Sequence, residues 1–220
     1  ILIEGGRANI IRHNQLRLNG SNLVLDRSDN NQISGNAVTF AKHAGILLKN
    51  GSDGNTLKGN IAYDNDHRPL TLPSSELPGC GILITDGSKG NAVKDNDLFR
   101  NGRGIMLEHG SNDNQVIGNM LHDNVRFGIA VFAGSNPAKD NLLTDNVAIN
   151  NAFRLVTSEE GPVIGEAGFD EGADLFDESG GIDTLNTWDD NVSEANNVGG
   201  VVIKCSTKSH CHRSDRIPPK

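Results

Sequence analysis

Aromatic residues are scarce in this sequence: seven Phe, one Tyr and one Trp among 220 residues, 4% in all. That excludes a broad platform of rings for stacking neutral sugars or bases. Basic residues are in deficit too, since 20 Lys and Arg face 28 Asp and Glu for a net charge of −8. Nucleic-acid binding depends on clustered Lys and Arg that displace counterions from phosphates. The sequence concentrates such residues only in its basic end, "KCSTKSHCHRSDRIPPK", of which 205–220 reads as a polar tail. No apolar run approaches the roughly 18 residues of a membrane-spanning helix, and no signal peptide is visible. The chain starts on "ILIE" without Met, the pattern of a processed or trimmed chain, so its first residues do not decide export. Cysteine is limited to three. Cys205 and Cys211, separated by five residues, can pair in an oxidising compartment, which leaves Cys80 over. Three free thiols is the other reading, and spacing does not decide between them.

Gly and Asn are abundant: 26 Gly, and roughly one residue in eight is Asn. Both tolerate left-handed backbone, so their excess predicts turns at regular intervals rather than long helices. The Asn residues form a comb of five-residue teeth. "NTLKGNIAYDN" (Asn55, Asn60, Asn65) returns as "NAVKDNDLFRN", "NQVIGNMLHDN" and "NLLTDNVAINN", and seven segments align. The first is Asn9, Asn14 and Asn19, the second has Ala41 in its third place, and the last is Asn186, Asn191 and Asn196. Upstream of most combs lies an aliphatic stretch and a Gly-Ser turn, as in "GILLKNGSDGN", "GILITDGSKGN" and "GIMLEHGSNDN". The unit of about 23 residues is three short strands and their corners, too short for helical hairpin repeats and without the pattern of a leucine-rich repeat. Three strands per turn of a coil predict an all-β, single-stranded parallel β-helix of seven or eight coils, the eighth begun by "GVVIKC".

Alternation supports this reading. Ile46 and Leu48, Ile82 and Ile84, Ile105 and Leu107, and Ile129 and Val131 take alternate places, as inward-facing pairs must. An inward residue also follows each Asn by two, as at Leu57, Ala62, Val93 and Leu98, and Trp188 takes such a place as a core plug. Corner Asn residues can bond their amides to the next coil and satisfy peptides that no strand ladder reaches, so the comb reads as a building device.

"GILLKNGSDGNTLKGNIAYDND" and its copies resemble the right-handed parallel β-helix repeat family. Its relatives include pectate lyases, mannuronan C5-epimerases and periplasmic accessory proteins of nitrous oxide reductase maturation. The resemblance covers about 1–151 and resumes at 172–204, making 1–204 one β-helix with insertions at 67–80 and 154–171. It implies a secreted, cell-surface or periplasmic protein and a polysaccharide partner.

Both insertions enter a first strand and are expected to rim its outward face. That face carries an apolar column, Val24, Leu47, Leu83, Met106 and Ala130, beside Asp26, Lys49, Thr85, Glu108 and Phe132; Arg27, Asn50, Asp86 and His109 follow at the turn. An apolar floor with acids, a His and a Lys at its margin suits an extended polymer. The chemistry implied by the lyase and epimerase relatives neutralises a sugar carboxylate, removes the C5 proton with a base and completes the step with an acid. Glu108, His109, Asp86 and Lys49 are the catalytic candidates, with Arg27, Asn50, Thr85 and Met106 as substrate contacts. Ca²⁺ is the cofactor this chemistry suggests, and no residue pattern fixes it. A second set, Tyr63, Asp66 and His67, resembles the Tyr-x-x-Asp-Pro-His-Asp/Glu pattern of alginate epimerases, but lacks its Pro and has Arg68 for the final acid.

Three further groups have weaker claims. His122 and Asp123 are neighbours on the third strand's outward face, the acidic run 165–181 lacks EF-hand spacing, and His210, Cys211 and His212 are a poor tetrahedral metal set. The opposing reading of the chain is a non-catalytic extracellular scaffold or accessory protein.

Overall fold

The computed structural model describes residues 1–65, 79–132, 135–151, 173–177 and 186–193. Every helix or strand within them is a β-strand, and the chain visits three seven-stranded parallel sheets in turn. The first sheet stacks Leu2–Glu4, Ser21–Asp26, Ala44–Lys49, Cys80–Ile84, Arg103–Leu107, Phe127–Val131 and Ala173–Asp177 in that order. The second runs from Ile10–Arg12 to Thr187–Asp189 and the third from Gln15–Arg17 to Val192–Ser193. Each circuit of the three sheets is one coil, so seven coils stack among the described residues. The expected eighth coil, the insertion at 154–171 and the tail with Cys205 and Cys211 lie outside the described residues.

The register explains the core. Ile46, Ile82, Ile105 and Ile129 lie side by side, as do Leu48, Ile84, Leu107 and Val131. Leu57, Val93, Val116 and Leu143 line up on the second sheet, and Ala62, Leu98, Leu121 and Ala148 on the third. All are buried in one cluster along the axis. Trp188 joins it in the last coil as the expected plug, its Nε1 donating to Asp177 Oδ2 at 3.0 Å.

Buried Asn ladders hold the corners. Asn60 shows the rule: its N–H and its Nδ2 both donate to Asn96 Oδ1, at 2.8 and 3.0 Å, and Nδ2 also donates to Ile33 O. The same pattern runs from Asn9 through Asn31 and Asn55, and from Asn14 through Asn36 and Asn60, to the last coil. Thus each amide serves three peptide or amide groups that would otherwise be orphaned in the interior.

The third corner departs from expectation at both ends. Asn19 Nδ2 bonds Asn22 Oδ1, three residues on in the first strand of the next coil, instead of an amide at that coil's third corner, where Ala41 offers none. At the other end Asp174, on a first strand, takes the rung after Asn151 by accepting from its N–H and Nδ2 at 2.9 Å each. Between Asn22 and Asp174 the same column is Gly45, Gly81, Gly104 and Gly128. A Cβ at Gly45 would stand 2.7 Å from Gly81 O and 2.9 Å from Asn65 Nδ2, so the ladder and a side chain exclude each other there.

Cys80, placed by the sequence at the end of the first insertion, instead opens the strand Cys80–Ile84 with its side chain buried. Its Cα pairing with Ala44 and Arg103 puts it in the sheet.

Candidate functional site

The outward face of the first sheet has the register read from the sequence: Val24, Leu47, Leu83, Met106 and Ala130 are neighbours in turn. It is not an open floor. Leu47, Leu83 and Met106 are no more than 7% exposed and pack with Ala44 and Cys80 in a second buried cluster. Met106 Sδ lies 3.8 Å from Cys80 Sγ. Met106 is therefore a packing residue out of reach of a polymer, because an outward apolar position says nothing of what lies above it. At the far end Phe127, Phe132 and Phe176 pack together, with the Arg103 guanidinium 5.6 Å from the Phe132 ring centre.

The margin of this face does gather candidates. Thr85 N donates to Leu48 O and Glu108 N to Ile84 O, which carries the ladder one residue beyond the strands and sets Lys49, Thr85 and Glu108 in a row. His109 Nδ1 sits 3.2 Å from Thr85 Oγ1, 3.6 Å from Glu108 Oε1 and 3.8 Å from Asp86 Oδ1. The side chain of Glu108 is 14% exposed, whereas those of His109 and Asp86 are 54% and 47% exposed. Thr85, Asp86, Glu108 and His109 are thus one cluster with a sheltered carboxylate and an accessible imidazole.

The cations stand apart from it. Lys49 Nζ is 3.2 Å from Asp26 Oδ2, Asn50 Nδ2 donates to Asp26 Oδ1 at 3.0 Å, and Arg27 pairs with Glu4 and Asp26. The Asn50 amide, aided by Lys49 and Arg27, holds the Asp26 carboxyl below its usual range. Arg27, Asn50, Asp86 and His109 also share a backbone state, with φ of 51°, 55°, 51° and 49°. Asn, Asp and His are enriched in that left-handed region, so turn geometry by itself accounts for part of this row.

A second cluster occupies the outward face of the third sheet. Tyr63, Phe99 and His122 are successive neighbours and stack nearly parallel, with centres 5.2 and 5.0 Å apart. Arg100 bonds Asp64 through Nε and Nη2 at 2.8 and 3.0 Å and lies over the Phe99 ring. That pairing raises the Arg100 pKa. His122 Nδ1 is 2.8 Å from Asp123 Oδ2, and Nε2 is 3.4 Å from Asp97 Oδ1. The His122 bond, helped by Asn150, holds the Asp123 carboxyl below its usual range. The outward column was legible in the sequence; the ring stack and the Asp97 contact were not, because Asp97 precedes His122 by a whole coil.

Tyr63 lies on the third sheet, apart from the first-sheet margin, and its sequence companions Asp66 and His67 lie outside the described residues. Among the described residues no three His, Cys, Asp or Glu side chains converge on one point suited to a metal. The cluster at His109 therefore does not fit a protein-held Ca²⁺ ion. Among the same residues no helix is long and apolar enough to cross a membrane.

Three sheets, a coil repeat and Asn ladders define a solenoid of the right-handed β-helix class. The chain belongs to the family described as the right handed beta helix region, whose sequence profile matches residues 1–169. No curated protein sequence matches it. Among solved structures it is similar to the periplasmic alginate epimerase AlgG, at 17% identity and a TM-score of 0.58 over 84% of this chain and 39% of that one. A mutant of AlgG gives 16% identity and a TM-score of 0.61, over 86% and 40%. The A-module of the Azotobacter vinelandii mannuronan C-5 epimerase AlgE6 gives 18% and 0.57, over 66% and 36%. The chain spans about two fifths of the length of these structures, and the likeness is one of fold.

Proposed function

We propose that this protein is an exported, carbohydrate-active β-helix that acts on an extended, uronate-containing polysaccharide at the margin of the first sheet, by lyase or epimerase chemistry. The observation that carries the reading is the His109 imidazole held beside Thr85, Glu108 and Asp86. An imidazole that donates to Thr85 from Nδ1 presents a bare Nε2 to a substrate proton. Carboxylates at 3.6 and 3.8 Å counter the charge this proton brings. Lys49, next in the row, is the residue suited to a sugar carboxylate once Asp26 releases it. Similarity in fold to alginate epimerases, one of them periplasmic, supports both the substrate class and a secreted, cell-surface or periplasmic location.

Alginate and pectate incubated with the protein, with and without Ca²⁺, test this. The expected result is absorbance from unsaturated ends or a changed C5 configuration by NMR, lost in Glu108→Gln and His109→Ala. Turnover surviving in both variants moves the chemistry elsewhere.

The rival reading is a non-catalytic scaffold or accessory protein. The buried Leu47, Leu83 and Met106 favour it, since they leave a margin rather than a groove. No change in any acidic polymer supports that reading.

A further inference from the structure

The second sheet gathers cations that lie far apart in the sequence. One outward column runs Arg12, Ser34, Lys58 and Lys94 through the first four coils, each residue beside the next. Gln32 and Thr56 are neighbours in the parallel column. These four strands contain no acid, and Asp189 closes the column only in the last coil. The charge of this stretch therefore opposes the net −8 of the whole chain.

Little on the protein satisfies these cations. The side chains of Arg12 and Lys94 make no ion pair among the described residues. The corner that follows the column carries His13, Gly35, Gly59 and Asp95, so Asp95 is the one acid beside it in these coils. It lies 3.5 Å from Lys58, with both side chains about three-fifths exposed, a contact of small worth. Lys58 and Lys94 are direct neighbours on adjacent strands, and like charges so placed destabilise a sheet. A local cost of this kind, without a compensating partner on the protein, is the mark of a binding position.

We infer that this face anchors a carboxylate-bearing glycan lying along the coil axis, with one carboxylate between Lys58 and Lys94 and another at Arg12. Ser34, Gln32 and Thr56 meet its hydroxyls. From Arg12 to Lys94 is three coil steps, roughly 14 Å, so a short fragment gains only part of these contacts and the polymer gains them all. Nucleic acid fits the face poorly: no outward position of the four strands carries a ring for a base, and three cations are few on a chain of −8. A second copy laid antiparallel, with Arg12 against Asp189, would set the fourth coil and its Lys94 against their own counterparts. The inference rests on the proposed function for the class of polymer alone. The surface lies on a different sheet from the acid–base cluster and performs no chemistry.

Affinity electrophoresis in gels cast with alginate or pectate, and in others cast with neutral galactomannan or single-stranded DNA, tests the assignment. Alginate or pectate should retard the protein, less so as salt rises, and the other two should not. Lys58→Gln combined with Lys94→Gln should raise the dissociation constant for the acidic glycan about tenfold, the scale of two exposed ion pairs. Lys94→Gln alone should keep or raise the urea midpoint, since it relieves the contact with Lys58, and this separates lost retention from lost folding. His109→Ala should leave retention in place, so failure of the acid–base reading and failure of the anchor are told apart. Retention equal to wild type in the double variant overturns the inference, as does its absence on both acidic glycans. Equal retention on DNA, lost in the double variant, overturns the glycan class. A dimer in sedimentation that the double variant dissolves, without retention on either acidic glycan, gives the face to a second copy instead.

Discussion

At the scale of single residues, each corner asks two things of a side chain: tolerance of positive φ, or an amide with both donors and an acceptor. Leu18 meets neither demand. It has φ of 62° and is 70% exposed, in a region where an L-residue costs about 1–2 kcal/mol and Asn costs less. Leu18→Asn is expected to stabilise the protein by about 1 kcal/mol, read as a higher urea midpoint. The ladder is stricter. Asn124 accepts from Asn101 at Oδ1 and donates from Nδ2 to Leu98 O and Asn151 Oδ1. A carboxylate at 124 would set an acceptor against both partners, and Asn124→Asp is expected to cost about 3 kcal/mol or more. Asp174 is found instead at the end of this ladder, where Asn151 uses its acceptor.

Among the elements, the first strands are fixed by what they exclude and the third strands by what they pair. Gly81 has Leu98 Cδ2 at 2.7 Å and Gly104 O at 2.9 Å from the place of a Cβ. With no positive φ to confuse the effect, Gly81→Ala is expected to lose about 2–3 kcal/mol through overpacking alone, measured by denaturant unfolding. On the third sheet the depressed Asp123 carboxyl links stability to acid. Because its folded pKa lies below the unfolded one, the His122 and Asn150 interactions stabilise fully above the ordinary carboxylate range. They are lost as pH falls through the folded value. His122→Phe keeps a ring in the stack and should move the Asp123 titration upward, seen by carboxyl carbon NMR. The strands themselves were legible in the sequence, since alternation at Ile46 and Leu48 and the Asn teeth specify coil and register together. The burial of Met106 and the contact of Asp97 with His122 were not. Both depend on partners distant in sequence, for which a single coil carries no local pattern.

In the whole molecule the ladders and the core build the rod, and function is left to its faces. The first sheet keeps only its margin accessible, with Thr85, Asp86, Glu108 and His109 in one cluster, while the third leaves Ile61, Met120 and Val192 exposed. The sequence marked the margin as a place of acids and a His, yet positive φ accounts for Asp86 and His109 there without any ligand, though not for Thr85 or Glu108. A direct measurement separates the two explanations: titration of the isotope-labelled protein with an acidic oligouronate, followed by amide and imidazole NMR shifts. Saturable shifts concentrated at Thr85, Asp86, Glu108 and His109 are expected. Shifts confined to the third sheet, or none at the imidazole of His109 at saturating oligosaccharide, would contradict a ligand site at this margin.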